Sequence, residues 1–179
     1  MEKLLNQFYE MECHLFRLVN KHFHNKHINR FFHTVTHVGG ATFSISSILL
    51  FILLATGNLK MTAFASLIAL TVSHIPVAIA KKIYPRRRPY LTLKEIYVTT
   101  KQLKDHSFPS GHTTATFSII TPFLMYQPSW ILILLPIAIL VGVSRIYLGL
   151  HYPSDVLAGV LLGVLCGVVS FLLVVPSVL

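Results

Sequence analysis

The sequence predicts an all-α, polytopic membrane bundle of about five transmembrane helices plus an N-terminal interfacial amphipathic helix. Hydrophobic residues make up 54% of the 179 residues, charged residues only 12%, and the mean hydropathy is +0.67. An ordinary soluble domain carries about 25% charged residues. Five apolar stretches approach the ~20 residues that a helix needs to cross a bilayer. We therefore expect residues 1–179 to form a single membrane domain.

Residues 1–30 are predicted to form the amphipathic helix, because they mix apolar and charged residues and are too polar to span. The apolar positions recur at intervals of three and four: Leu4, Leu5, Phe8, Met11, Leu15, Leu18 and Val19. Such a helix can lie in the membrane interface or pack on the protein's own surface. The two arrangements are compatible.

The five apolar stretches cover residues 32–55, 61–80, 112–126, 130–147 and 153–175. Backbone polar groups in lipid must be satisfied within the segment, so each stretch is predicted to be helical. The third is marginal in length unless its flanks join the helix. Short connections at 57–60 and 127–129 predict two antiparallel helical hairpins.

The fifth stretch carries glycines at four-residue spacing, Gly159, Gly163 and Gly167. Small residues at this spacing line one helical face and allow close helix approach in membranes. The pattern favours packing inside the bundle over a dimer interface. It leaves the oligomeric state open.

Basic residues are concentrated on one predicted face of the membrane. Lys and Arg total 15 against 6 Asp and Glu. If the chain crosses the bilayer five times as predicted, only Lys60 of these basic residues lies on the opposite face. Loop 81–108 is especially basic. In a membrane protein this excess indicates anionic headgroups or phosphorylated substrates, not nucleic acid.

Beyond residue 107 the only charged residues are Arg145 and Asp155, with His151 between them. Charges near membrane depth are expensive and are usually functional, although a plain Arg145–Asp155 ion pair between helices would also explain two of them. Pro153 suits the first turn of a helix, which places His151 just before it. Asp155 could then orient the imidazole and leave its other nitrogen as nucleophile or base.

Two further motifs suit an anion. The first motif lies immediately before an apolar helix and contains Ser110, Gly111 and His112. The N–H groups and the dipole at the start of such a helix favour a phosphate. Taken alone, the motif also fits a simple turn with an N-cap. Lys81 and Arg88 lie at and beyond the end of the second stretch. A basic run at that place is also typical of a membrane anchor.

Together these motifs resemble the three-part signature of the type 2 phosphatidic acid phosphatase family, within residues 81–155. The matching elements are Lys81 to Arg88-Pro89, Pro109-Ser110-Gly111-His112, and Ser144-Arg145 to His151 and Asp155. The apolar spans and the short chain resemble small bacterial members that act on undecaprenyl pyrophosphate or phosphatidylglycerophosphate.

The resemblance implies a role for each matching residue. His151 would attack phosphorus and form a phosphohistidine, Asp155 would orient it, and His112 would protonate the leaving oxygen and then activate water. The phosphate ligands would be Lys81, Arg88, Ser110, Gly111 and Arg145. No metal and no cofactor is expected.

The expected function is therefore hydrolysis of the terminal phosphate of undecaprenyl pyrophosphate, phosphatidylglycerophosphate or phosphatidate in the bilayer. A lipid phosphotransferase with the same intermediate and a non-enzymatic protein that binds anionic lipids are the alternatives. The positive-inside rule places the basic face in the cytoplasm, whereas the resemblance points outward. Because a basic rim also collects anionic substrates, we expect the site on the outer face of the cell membrane.

Overall fold

The computed structural model describes residues 2–99 and 103–175, and within these ranges the chain is helical with no strand. The α-helices are α1 (Glu2–Asn20), α2 (Lys26–Val35), α3 (Ala41–Leu54), α4 (Gly57–Ile83), α5 (Pro89–Thr92), α6 (Gly111–Tyr126), α7 (Ile131–Tyr147) and α8 (Pro153–Val174). Two 3₁₀ turns, Thr36–Gly39 and Pro128–Trp130, lead into α3 and α7. The predicted all-α class is confirmed.

Three helical segments in the described ranges are long and apolar enough to cross a membrane: Gly57–Ile83, Pro128–Tyr147 and Pro153–Val174. The continuous helix predicted for 32–55 is wrong, because Lys26–Gly39 and Ala41–Leu54 meet at a bend of 55°. The bend lies at Gly40, whose backbone is extended. This pair adds a fourth span if its two halves cross the membrane together. Helix α6, with only 16 residues, is shorter than these three segments. The count of five stays a prediction.

Helix α6 lies at the centre of the bundle, where ten of its 16 residues are buried, and it packs on α4 and α8. The glycine face of α8 is turned toward it. A Cβ added at Gly163 would lie 2.7 Å from the carbonyl oxygen of Thr114, and one at Gly167 would lie 2.6 Å from the Cβ of Thr121. The glycines therefore serve packing within the chain, as the spacing favours.

The predicted amphipathic helix of residues 1–30 is shorter in the structure, because α1 ends at Asn20 and a turn separates it from α2, which begins at Lys26. Helix α1 packs against the bundle through its buried face. The side-chain amide of Asn20 donates to the carbonyl oxygens of Tyr97 at 2.8 Å and Tyr147 at 2.9 Å. Several apolar side chains of α1 stay exposed, namely Leu4, Phe8, Met11, Leu15 and Leu18. One face is thus committed to the protein, and the second is free for the membrane interface.

Candidate active site

The ends of several helices meet around one cleft of about 730 Å³. Its lining includes five of the residues singled out from the sequence, Lys81, Arg88, Gly111, His112 and His151, together with Asp105. The remaining three, Ser110, Arg145 and Asp155, are buried. Residues that are 70 positions apart in the sequence thus share one chemical environment.

The N-terminus of α6 opens toward this cleft. Ser110 is the N-cap, but its side chain makes no capping hydrogen bond, and a Cβ added at Gly111 would meet nothing within 4 Å. The backbone N–H of Ser110 donates to the carbonyl oxygen of Asp155 at 3.0 Å. This bond ties the start of α6 to the first turn of α8.

His112 lies in the first turn of α6 and faces the bend before α3. A Cβ added at Gly40 would lie 3.9 Å from His112 Nε2, and one at Gly39 only 2.8 Å from its carbonyl oxygen. The two glycines therefore allow the backbone of the bend to approach the histidine closely.

His151 lies in the loop between α7 and α8, is 2% exposed, and donates its backbone N–H to the carbonyl oxygen of Arg145 at 3.2 Å. Its Nε2 lies 3.2 Å from Nη1 of Arg88. Burial lowers the pKa of His151 to about 4 against the opposing effect of Asp155, and the charges of Arg145 and Arg88 act in the same direction as burial. The imidazole is therefore neutral near pH 7.

Asp155 lies beside His151 without a direct hydrogen bond to it, since Oδ2 and His151 Nδ1 are 3.7 Å apart. Oδ2 instead accepts from the backbone N–H of Tyr152 at 2.8 Å, and Oδ1 pairs with Arg86 Nη1 at 2.8 Å. The helix-linking Arg145–Asp155 ion pair is thus absent, because another arginine holds the carboxylate.

Arg145 is 3% exposed and donates from Nη1 to the hydroxyl of Thr36 at 2.7 Å. Its Nε and the Nδ1 of His151 are buried without a hydrogen-bond partner, alone among buried side-chain polar atoms in the described part of the chain. Unpartnered buried donors are rare and costly. Both belong to predicted site residues.

Asp105 holds two of the cations in the cleft, since its carboxylate pairs with Lys81 and, at 2.6 Å, with Arg88 Nη2. Arg88 is 1% exposed and also donates to the carbonyl oxygens of Asp105 at 2.8 Å and Leu150 at 2.7 Å. Burial alone would raise the pKa of Asp105, but Lys81 and Arg88 lower it to about 2. A stable anion thus lies between two predicted phosphate ligands.

Away from these charges the cleft continues between α3 and α4 and becomes mostly apolar. Its lining there includes Ile45, Leu67, Leu70, Thr71, His74 and Val77. The ring of His74 bonds through Nδ1 to the carbonyl oxygen of Leu70 at 2.8 Å, as expected for a histidine satisfied within its helix. A polar head and an apolar groove thus form one continuous space.

Sequence reasoning did not find the contacts of Thr36, Glu12 and Arg86 with the site. Arg86 stands out only as one of three consecutive arginines, and nothing in the sequence connects Thr36 or Glu12 to residues more than 70 positions away.

In the described ranges no three His, Cys, Asp or Glu side chains are arranged to hold a metal ion.

Comparison with known proteins gives three consistent likenesses. The PAP2 superfamily model matches residues 61–178. Bacitracin transport permease protein BcrC of Bacillus licheniformis is 39% identical over 118 residues, which are 65% of this chain and 57% of that protein. Undecaprenyl-diphosphatase of Sulfolobus acidocaldarius is 37% identical over 86 residues, 48% of this chain and 42% of that protein. The chain thus spans about half the length of these curated relatives.

The fold has a close counterpart among solved structures. The crystal structure of Aquifex aeolicus LpxE superimposes with a TM-score of 0.78 at 28% identity, covering 88% of this chain and 93% of that chain. The likeness therefore extends beyond the matched family region to most of the described helices.

Proposed function

The chain belongs to the PAP2 superfamily, and from this premise we propose that it is an integral membrane phosphatase that releases the terminal phosphate of a lipid phosphate or lipid diphosphate. The observation that carries the proposal is the single cleft in which two histidines and two cations open into an apolar groove. A phosphorylated headgroup fits the first part and its hydrocarbon chain fits the second.

The reaction begins with His151 as nucleophile. Its Nε2, which lies near Arg88, attacks phosphorus in line with the leaving oxygen, so that an N–P bond forms as a P–O bond breaks. His112 gives its proton to the leaving oxygen. It then takes a proton from the water that breaks the N–P bond, which returns His151 and releases phosphate.

The surrounding cations stabilise the charge that spreads over the equatorial phosphate oxygens. Phosphoryl transfer depends mostly on positioning and on neutralising this charge. Lys81, Arg88 and Arg145 supply positive charge, and the α6 N-terminus supplies the Gly111 N–H and the Ser110 hydroxyl. With three fixed cations the reaction needs no metal ion, and we propose no cofactor.

The substrate class follows from the shape of the cleft and from the relatives. A lipid with a terminal phosphate matches the polar head and the apolar continuation, and the Sulfolobus acidocaldarius relative is named undecaprenyl-diphosphatase. Undecaprenyl diphosphate is therefore the first candidate, followed by phosphatidylglycerophosphate and phosphatidate. Phosphate release from a detergent-solubilised panel of these lipids identifies the preferred one.

Substitution of the two histidines tests the mechanism. We expect His151→Ala to lose turnover and to trap no phosphate, whereas His112→Ala should still form phosphoenzyme slowly, because losing a general acid costs about 10²–10⁴-fold. The measurement is retention of labelled phosphate on the protein after a rapid alkaline quench in detergent, because the N–P bond of a phosphohistidine is stable to alkali and is lost in acid. Substantial turnover by folded His151→Ala protein would refute the nucleophile.

Phosphate release without an acceptor separates the alternatives. A lipid phosphotransferase would release little phosphate in water alone and, once an acceptor alcohol is added, would transfer the phosphoryl group to it as a phosphate ester. Non-enzymatic lipid binding or transport, the activity in the name of the Bacillus licheniformis relative, needs positive charge but neither histidine.

We place the cleft on the outer face of the cell membrane. A single cysteine at Lys104, on the exposed loop beside Asp105, should react with a membrane-impermeant maleimide in intact cells, in a Cys13→Ser and Cys166→Ser background. Asn58→Cys, at the opposite end of α4, should react only after lysis. The reverse pattern would place the site in the cytoplasm.

A further inference from the structure

Arg86 connects the N-terminal helix to the carboxylate beside the nucleophile. Its Nη1 donates to Asp155 Oδ1 at 2.8 Å, and its Nη2 pairs with Glu12 on α1. The guanidinium carbon lies 3.9 Å from the centre of the Tyr152 ring, a cation–π contact. Contacts on three sides thus hold the guanidinium in one orientation.

Ser154 closes this arrangement at the start of α8. Its hydroxyl accepts from Arg86 Nη1 at 2.7 Å and donates to Oε2 of Glu12. The same Glu12 oxygen lies 3.4 Å from the backbone N–H of Ser154, where the helix dipole favours a negative charge. Glu12 therefore contacts both the arginine and the helix that carries Asp155, although it lies outside the matched region 61–178.

Asp155 depends on this arginine. Its side chain is 0% exposed, and a buried carboxylate is costly unless it is paired. Arg86 is its salt-bridge partner at hydrogen-bond distance within the described ranges, whereas His151 Nδ1 is 3.7 Å away. The backbone N–H of Tyr152 holds Oδ2 of the carboxylate, Arg86 holds Oδ1 and supplies the paired charge, and Glu12 holds Arg86.

We propose that Glu12 and Arg86 are positioning residues of the phosphatase reaction, holding Asp155 so that it stabilises His151 during phosphoryl transfer; this rests on the proposed function. Charges alternate along the series Glu12, Arg86, Asp155. Their sum is one negative charge, which balances the positive imidazolium of the phosphohistidine. Without the charge of Glu12, Arg86 and Asp155 form a neutral pair, and the imidazolium loses its counter-charge.

The test is Glu12→Gln, which keeps the size of the side chain and removes its charge. We expect kcat to fall about 10- to 100-fold, the range found when groups that orient a metal-bound histidine are removed. KM and the affinity for inorganic phosphate as a competitive inhibitor should stay within about twofold, because the phosphate ligands are untouched and bound phosphate places no charge on His151. Glu10→Gln is the matched control, since it removes the same charge from an exposed position on the same helix.

Arg86→Gln and the double variant test the connection between the two residues. If Glu12 acts through Arg86, the double variant loses about as much kcat as Arg86→Gln alone, which is strong non-additivity. Binding of inorganic phosphate by each variant shows that its cleft is folded.

The outcomes separate this inference from the function on which it rests. If the unaltered chain releases no phosphate from any lipid in the panel, the proposed function is refuted, and the positioning role of Glu12 and Arg86 is refuted with it. If the unaltered chain is active and Glu12→Gln has the same kcat, only the positioning role is refuted. Additive losses, or a loss of kcat matched by an equal loss of affinity for inorganic phosphate, would also overturn it by showing a merely structural role.

Discussion

Asp105→Asn should tighten the binding of phosphate and vanadate. The Asp105 carboxylate pairs with Lys81 and with Arg88, the latter at 2.6 Å. A bound phosphate needs the same two cations, so it has to displace the carboxylate. Asparagine has nearly the same shape and no charge, and it therefore competes less.

The expected size of this effect follows from exposure. The Asp105 side chain is 53% exposed, and exposed ion pairs contribute about 0.2–1 kcal/mol each. Two such pairs give about 1 kcal/mol, which corresponds to roughly fivefold in affinity. Arg88 should keep its place, because it also donates to the carbonyl oxygens of Asp105 and Leu150.

The assay is the inhibition constant of vanadate, measured as phosphate release from the preferred lipid of the panel. We expect a constant about fivefold lower for Asp105→Asn than for the unaltered chain. Glu95→Gln controls for loss of charge, since it removes one carboxylate from the same loop and, within the described ranges, Glu95 pairs with neither cation. An unchanged or higher constant for Asp105→Asn would refute competition and show that Asp105 supports anion binding.

Three other perturbations test the site and the packing. Activity should survive excess EDTA while vanadate inhibits, because fixed cations neutralise the phosphate; an absolute requirement for Mg²⁺ would contradict this. Arg145→Lys should lower kcat/KM about 10- to 100-fold, the equivalent of one charged hydrogen bond, because a point charge does not replace a planar guanidinium. An unchanged kcat/KM would show that Arg145 is not a phosphate ligand. Gly163→Ala should lower the melting temperature more than Gly142→Ala. The new Cβ at position 163 would lie 2.7 Å from the backbone oxygen of Thr114, which cannot move aside, whereas the one at position 142 would lie 3.0 Å from a movable methyl group of Val156. Equal melting temperatures would contradict the close α6–α8 packing.

Much of the fold could be predicted from the sequence, because the apolar composition of a short segment is enough to identify a membrane helix. Apolar runs near 20 residues predict helices without knowledge of their neighbours, and the glycines at 159, 163 and 167 predict the tightly packed helix face. The bend near Gly40 was missed, because the apolar composition of 32–55 is the same for a straight helix and for a broken one. Two adjacent glycines, Gly39 and Gly40, were the available signal.

The site residues were also accessible, because phosphate chemistry demands particular residue types and the motifs place them at recognisable spacings. Lys81, Arg88, His112 and His151 do line one cleft. Their catalytic roles stay predictions that the substitutions above test.

Only the tertiary structure decided which charges pair. The sequence shows that Asp155 needs a cation and offers Arg145, ten positions away, whereas the fold supplies Arg86 from the loop after α4. The same holds for Glu12, which reaches Arg86 across 74 positions, and for Thr36, which reaches Arg145 across 109. The physical reason is that the pattern of a helix specifies which face is buried, but the identity of a buried ion pair depends on distances between elements that meet only when the bundle packs.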